Sequence, residues 1–145
     1  MSHEYALIPN EHHRSILQND ILGDPDYVRI RGGHESPRAI ILAGQPGSGK
    51  GGLAKAAERE FNDNIAVIDT DEMRAFHPQV KDFRRQHPYT WSGDTHGDAS
   101  RWANELRADA MAQRKHLVID TTTPRVGLIE ELQRQGSRFE FSLCG

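Results

Sequence analysis

A three-layer α/β fold, a parallel sheet with helices on both faces, is what this sequence predicts, and three observations predict it. Short apolar runs at 38–43, 65–69, 116–120 and 139–143 have the near-continuous hydrophobicity of buried parallel strands. The segments between them carry apolar residues at helical spacing, and strands alternating with helices build a parallel sheet. Three of the four runs also end in residues suited to chemistry, at Gly44 to Lys50, Asp69 to Asp71 and Asp120 to Thr122. Ligands of such sheets bind beyond the carboxyl ends of the strands.

Taken in order, residues 1–37 form a polar N-terminal segment, helical and irregular, and 38–145 the α/β domain. A helix is expected near Asn10 to Leu22, its apolar face holding Ile16, Leu17 and Ile21. Asp24-Pro25-Asp26 and Gly32-Gly33 are turn signals. Arg38 to Ala43 is the first core strand. After Lys50 a helix carries Leu53, Ala56, Ala57 and Phe61. Gly51 and Gly52 in its first turn each cost about 1 kcal/mol relative to alanine in a helix interior. Beside a ligand that cost has a reason, close backbone approach. A second strand covers Ile65 to Asp69. The segment from His77 to Gly97 reads as a long loop with a helical piece, and a helix follows with Ala99, Trp102, Ala103, Leu106 and Ala110 on one face. Trp102 belongs to that apolar stripe and is a core residue rather than a stacking platform. His116 to Asp120 is the third strand. Thr123-Pro124 then starts a helix that Gly136 stops, and Phe139 to Leu143 is the fourth strand. The 38–43 strand is expected between the third and fourth strands.

Composition narrows the function. With 145 residues, 36% hydrophobic and 27% charged, the chain is an ordinary soluble domain. A net charge of −3 gives no case for nucleic acid as a partner. Cys144 is the single cysteine, so no internal disulfide forms, which fits a reducing cytoplasm. No apolar run reaches the roughly 18–20 residues of a membrane span, and Met1-Ser2-His3-Glu4 does not open a signal peptide. A cytoplasmic protein with no membrane partner is expected. The eight histidines, His12-His13 among them, have no metal-ligand spacing.

The strongest motif is Gly44-Gln45-Pro46-Gly47-Ser48-Gly49-Lys50, which meets G-x-x-x-x-G-K between a strand and a helix. Such a loop turns successive backbone N–H groups inward to cradle phosphates at a helix N-terminus, and Lys50 adds a mobile cation for the outer phosphates. Gly51 stands where Ser or Thr usually puts a hydroxyl on Mg²⁺, so the metal is held by another group or by water. Phosphoryl transfer further needs a carboxylate to accept the proton of the attacking hydroxyl. Asp71, two residues beyond its strand, is the candidate base. Asp120, closing Leu117-Val118-Ile119, is the candidate Mg²⁺ ligand. Asp69, Asp71 and Asp120 have a plainer reading as helix or turn caps. Arg74, Lys81, Arg84 and Arg85, with Tyr89 and Trp91 nearby, are either a solvated face or a grip on a diphosphate.

The glycine loop, then Val67-Ile68-Asp69-Thr70-Asp71-Glu72-Met73-Arg74-Ala75-Phe76-His77-Pro78, then Thr95-His96-Gly97-Asp98-Ala99-Ser100, then Val118-Ile119-Asp120-Thr121-Thr122, resemble the zeta toxin family in order and interval over roughly residues 30–145. The resemblance implies a P-loop kinase-like fold and phosphorylation of UDP-N-acetylglucosamine at the sugar 3′-hydroxyl by ATP or GTP with Mg²⁺. It further implies a poisoned cell-wall synthesis and a small helical antitoxin that blocks the nucleotide site. Carried over by position, residues 44–52 hold the nucleotide with Lys50 on its phosphates, and Asp71 is the base. Glu105, Asp120 and Thr122 lie near the sugar nucleotide; Arg74 is a candidate substrate residue from the basic cluster rather than from the resemblance. Family members continue past the fourth strand into arginine-bearing elements that close over the triphosphate, so the C-terminal part is expected to be missing. Two further readings stay open: another P-loop phosphotransferase, and a silent domain that only binds nucleotide or antitoxin.

Overall fold

The computed structural model describes residues 7–43, 50–121, 127, 130, 133–134 and 140–144. The chain divides into two compact units, residues 28–68 with 107–145, and residues 1–27 with 69–106.

The first of these holds the sheet. Its strands are β1 (Arg38–Ala43), β2 (Ala66–Asp69), β3 (Leu117–Thr121) and β4 (Glu140–Cys144), in spatial order β2-β3-β1-β4. β1 runs parallel to both neighbours, with Ala39 beside Leu117 and Phe141, and Leu42 beside Asp120 and Cys144. The 38–43 strand therefore lies between the third and fourth strands, as the sequence predicts. β2 adjoins β3, and Ala66 N donates to His116 O at 2.9 Å.

Helix α3 (Lys50–Glu60) packs on β1 and β3. Ile40, Leu42, Val118, Ile65, Ala54 and Ala57 form the core there, with Phe61 and Val67 against it. The helix stripe differs from the sequence expectation: Leu53 is 42% exposed and Ala56 is exposed. Ala54, Ala57 and Phe61, at i, i+3 and i+7, are the residues that face the sheet, because small side chains let the helix sit close to it. At the other end of the strands Gly32 passes against the turn after the long helix. A Cβ at Gly32 would stand 2.1 Å from Gln113 O, so only glycine fits, and Gly33 N donates to the same carbonyl at 2.7 Å.

The second unit is helical. α1 (Asn10–Ile16) continues into a wider turn over Leu17–Ile21, closed by Leu22 N donating to Leu17 O at 2.7 Å. Ile16 and Ile21 are buried as expected, and His13 joins them. Asp24-Pro25, read as a turn, opens the short helix α2 (Pro25–Val28): the Asp24 carboxylate accepts from Asp26 N at 2.8 Å, an N-cap followed by a first-turn proline. β2 leads into α4 (Thr70–Met73) and a tight turn over Arg74–Phe76. The 77–97 segment is more regular than a loop: α5 spans Val80–Gln86, and the long helix α6 starts at Trp91, not near Ala99, and runs to Ala112. Polar residues between Trp91 and Asp98 dilute the helical period in the sequence, while Pro88 and Thr90 just ahead are start signals. Gly127, Glu130, Gln133 and Arg134 are helical. Among the described residues no helix is long and apolar enough to cross a membrane.

Candidate functional site

Gly44 to Gly49 and Thr122 lie outside the described residues. The parts flanking them are placed. β1 ends at Ala43, and Lys50 opens α3, so the strand and helix that the phosphate-loop pattern requires stand on either side of it. A Cβ built on Gly51 or on Gly52 meets nothing within 4 Å, so neither glycine is demanded by the packing of the protein itself. Asp120 sits one residue from the end of β3, in register with Leu42. Because β1 and β3 are parallel, this carboxylate stands at the same sheet end from which the glycine loop departs. It is partly buried, and a hard oxygen donor there suits Mg²⁺.

In the helical unit, Asp69 takes the plainer role that aspartates at strand ends often have. It caps α4, its Oδ1 accepting from Asp71 N at 2.9 Å. Asp71 does not cap. Its side chain is 74% exposed on the first turn of α4 and pairs with the Arg74 guanidinium, itself only 14% exposed. The other guanidinium arm, Nη2, donates to His96 Nδ1 at 3.2 Å. Arg74 is thus anchored at two points, which holds the Asp71 carboxylate in one direction. His96 is a member of this cluster that the sequence reading quoted without a role.

The predicted basic cluster resolves into local pairs. Arg85 pairs with Asp82 at 2.9 Å on an exposed face, and Arg84 lies over the Trp91 ring at 4.4 Å. An exposed i,i+3 pair of this kind contributes about 0–1 kcal/mol. Tyr89 is 96% exposed.

Glu105, on α6, is brought into a network that reasoning from sequence missed. Its Oε1 is hydrogen-bonded to His13 Nε2 at 2.7 Å, and the other ring nitrogen of His13 is hydrogen-bonded to Asp98 Oδ1 at 3.0 Å. Asp98 Oδ2 accepts from Ile8 N at 3.1 Å. Trp102 is fully buried, as expected for a core residue; it stacks on His13 at 5.0 Å between centroids, and its Nε1 donates to the His13 carbonyl. The legible signal was a charge on an apolar stripe: Asp98, Trp102 and Glu105 follow one another at i, i+4 and i+7 along α6. Among the described residues, no group of three His, Cys, Asp or Glu side chains is placed to hold a metal ion.

His77 borders this network. It is buried; its Nδ1 accepts from Gln79 N at 3.1 Å, while Nε2 has no hydrogen-bond partner among the described residues and lies 3.9 Å from Asp98 Oδ2. Burial lowers its pKa below the ordinary 6.5, His12 adds to that, and Asp98 opposes it. The folded state therefore keeps His77 neutral where the unfolded chain already takes up a proton. Stability is full above about pH 6.5 and falls as the pH drops from there toward the lower folded value, by at most about 1.4 kcal/mol per pH unit for one proton. His77→Phe, which retains the ring against Phe83 (5.4 Å), is expected to flatten this component. Urea midpoints from pH 7.5 to 5 check it, and parallel curves for variant and parent would refute it.

The known proteins to which the chain is similar fit this frame. A match to the PezT toxin of Streptococcus pneumoniae is 30% identical over 88 residues, covering 61% of this chain and 35% of PezT. The toxin zeta of Streptococcus agalactiae is 48% identical over 44 residues, covering 30% of this chain and 15% of the toxin. Among solved structures, one from the PezAT chromosomal toxin–antitoxin system of S. pneumoniae superposes with a TM-score of 0.83 at 24% identity, over 97% of this chain and 57% of that one. A candidate kinase of Chloroflexus aurantiacus superposes with a TM-score of 0.54 at 18% identity, over 77% of this chain and 61% of that one. The chain thus shares the P-loop kinase-like fold of PezT and spans about a third of the PezT sequence it matches. The Zeta toxin family model matches residues 27–136, from α2 through β3 and beyond, and the chain belongs to that family.

Proposed function

We propose that this chain is the nucleotide-binding core of a zeta-type kinase, which transfers the γ-phosphoryl group of ATP or GTP to a hydroxyl of a sugar nucleotide such as UDP-N-acetylglucosamine and so blocks cell-wall synthesis in the cytoplasm. The observation that carries the reading is Asp71: within a Zeta toxin family chain, an exposed carboxylate two residues beyond a sheet strand, aimed by a doubly anchored arginine.

The chemistry asks little covalent work of the protein. The backbone of residues 44–49 would cradle the phosphates, Lys50 would hold the outer ones, and the open faces of Gly51 and Gly52 would let the triphosphate approach. Mg²⁺, when bound, neutralises charge on the phosphate oxygens, and Asp120 would hold it directly or through water. The acceptor hydroxyl attacks the γ-phosphorus and gives its proton to the Asp71 carboxylate. The new O–P bond forms as the bond to the β-phosphate oxygen breaks, and the nucleoside diphosphate leaves. Arg74 directs Asp71 and offers positive charge toward the acceptor's diphosphate. Thr122 would lie beside the sugar nucleotide. A small helical antitoxin is the expected protein partner.

Transfer of labelled phosphate from ATP to UDP-N-acetylglucosamine by the purified chain tests the reading, and no transfer to any sugar nucleotide would sink it. Lys50→Ala is expected to weaken triphosphate binding by at least about tenfold, because hydrogen bonds to charged groups contribute roughly 1.5–3 kcal/mol. Calorimetry with a non-hydrolysable ATP analogue checks this, and an unchanged dissociation constant would remove Lys50 from the site.

A further inference from the structure

We propose that His13 is a positioning residue that sets the Glu105 carboxylate for the acceptor. The inference rests on the reading that Glu105 lies beside the sugar nucleotide. It begins from an arrangement that a packing role alone does not require. His13 is 3% exposed, yet each of its ring nitrogens meets a carboxylate oxygen, Asp98 Oδ1 at 3.0 Å and Glu105 Oε1 at 2.7 Å. The 2.7 Å contact to Glu105 is made with the ring nitrogen Nε2, and a carboxylate oxygen there serves as the acceptor of its N–H.

The two carboxylates differ in a telling way. Asp98 is 3% exposed and spends its second oxygen on Ile8 N at 3.1 Å, which makes it an internal anchor. Glu105 is 35% exposed, and its second oxygen, Oε2, has no partner among the described residues. One oxygen is pinned and the other is presented, which is how a carboxylate is prepared to receive a hydroxyl with little further loss of side-chain freedom.

The pinning element is itself immobilised on three sides. Trp102 stacks on the His13 ring with an interplanar angle of 10°, Trp102 Nε1 fixes the His13 carbonyl at 3.1 Å, and Asp98 fixes Nδ1. What remains for Nε2 is one direction, toward Glu105. His13 stands 92 residues from Glu105 in sequence and ahead of the span matched by the family, which starts at residue 27. The N-terminal helix thereby supports the acceptor side of the site from outside the matched region.

Two amide variants separate anchoring from positioning. His13→Asn puts a donor near the place of Nδ1 and none at Nε2, so Asp98 keeps its partner and Glu105 loses it. His13→Gln reaches the Nε2 position and restores a donor to Glu105. In the full chain, His13→Asn is expected to raise both the KM and the dissociation constant for UDP-N-acetylglucosamine about tenfold, the scale of one hydrogen bond to a charged group. Its KM for ATP and its kcat are expected within threefold of the parent, and His13→Gln is expected to return the acceptor KM to within threefold. A merely structural role would lower stability and move both KM values together. An acceptor KM and dissociation constant unchanged in His13→Asn would overturn the proposal.

If the parent chain binds no sugar nucleotide, the functional reading falls, and nitrogen-15 histidine spectra decide the positioning on their own. The parent is expected to show a protected Nε2–H signal for His13 that is lost in Glu105→Ala while the Nδ1–H signal persists. Absence of a protected Nε2–H in the parent would overturn the positioning itself.

Discussion

Asp71→Asn is expected to leave nucleotide binding within threefold of the parent and to lower phosphoryl transfer by about 10²–10⁴-fold, the usual contribution of a general base. The substitution is nearly isosteric and keeps an oxygen for the Arg74 guanidinium, so the direction of the side chain survives while its proton affinity does not. Asp71 pairs with Arg74 on an exposed helix turn, where an ion pair contributes about 0–1 kcal/mol, so loss of activity cannot be assigned to loss of fold. A base acts in the transition state and a phosphate cradle in the ground state, so this variant and Lys50→Ala should fall on opposite sides of a kcat against KM comparison. Single-turnover transfer to UDP-N-acetylglucosamine measures it. A rate within threefold of the parent would remove Asp71 from the base role and point to another carboxylate.

The sheet was legible because its signal is local. Ile40, Ile41 and Leu42 are buried on both faces of β1, and a strand so placed has no polar face to disguise it. The order of β3, β1 and β4 followed from the P-loop kinase arrangement that the resemblance implies, together with the handedness of crossover connections, not from any single residue. The place of Asp71 just past a strand end was legible in the same way; its side chain lies exposed on the first turn of α4, whereas Asp69 two residues earlier caps that helix.

The helical unit was less legible. Leu53 followed the apolar period and is exposed, because hydrophobicity alone does not say which side of α3 meets the sheet. The start of α6 at Trp91 was hidden by polar residues whose helical bonding is sequence-neutral. His13, Asp98 and Glu105 were invisible as a group, since no pattern within one segment announces a partner 85 or 92 residues away. What the sequence offered was the anomaly itself, an acid among the apolar residues of one helix and a histidine in step with Ile16 on another.

That anomaly makes Asp98, buried and bonded to both Ile8 N and His13 Nδ1, a position sensitive to substitution. Asp98→Ala is expected to destabilise the fold by several kcal/mol, about 1–3 kcal/mol for each of two buried polar groups left unsatisfied. Two buried groups lose their partner together, Ile8 N and His13 Nδ1, and the His13 ring is left with Glu105 alone. Against a total stability of about 5–15 kcal/mol for a domain, this is a large fraction. The exposed pair Arg38–Glu60, at 3.3 Å, offers the control: Glu60→Ala removes an ion pair that water already screens and should cost less than about 1 kcal/mol. Asp98→Asn separates charge from shape. Its amide oxygen can serve Ile8 N or His13 Nδ1, but its NH₂ then faces the other donor, so the cost should fall between alanine and parent only if one of the two donors turns away. Urea unfolding of the three variants, with midpoints and slopes compared, measures the order. Equal small losses for Asp98→Ala and Glu60→Ala would show that the network stores little energy, and that helix packing around Trp102 alone holds the N-terminal helix in place.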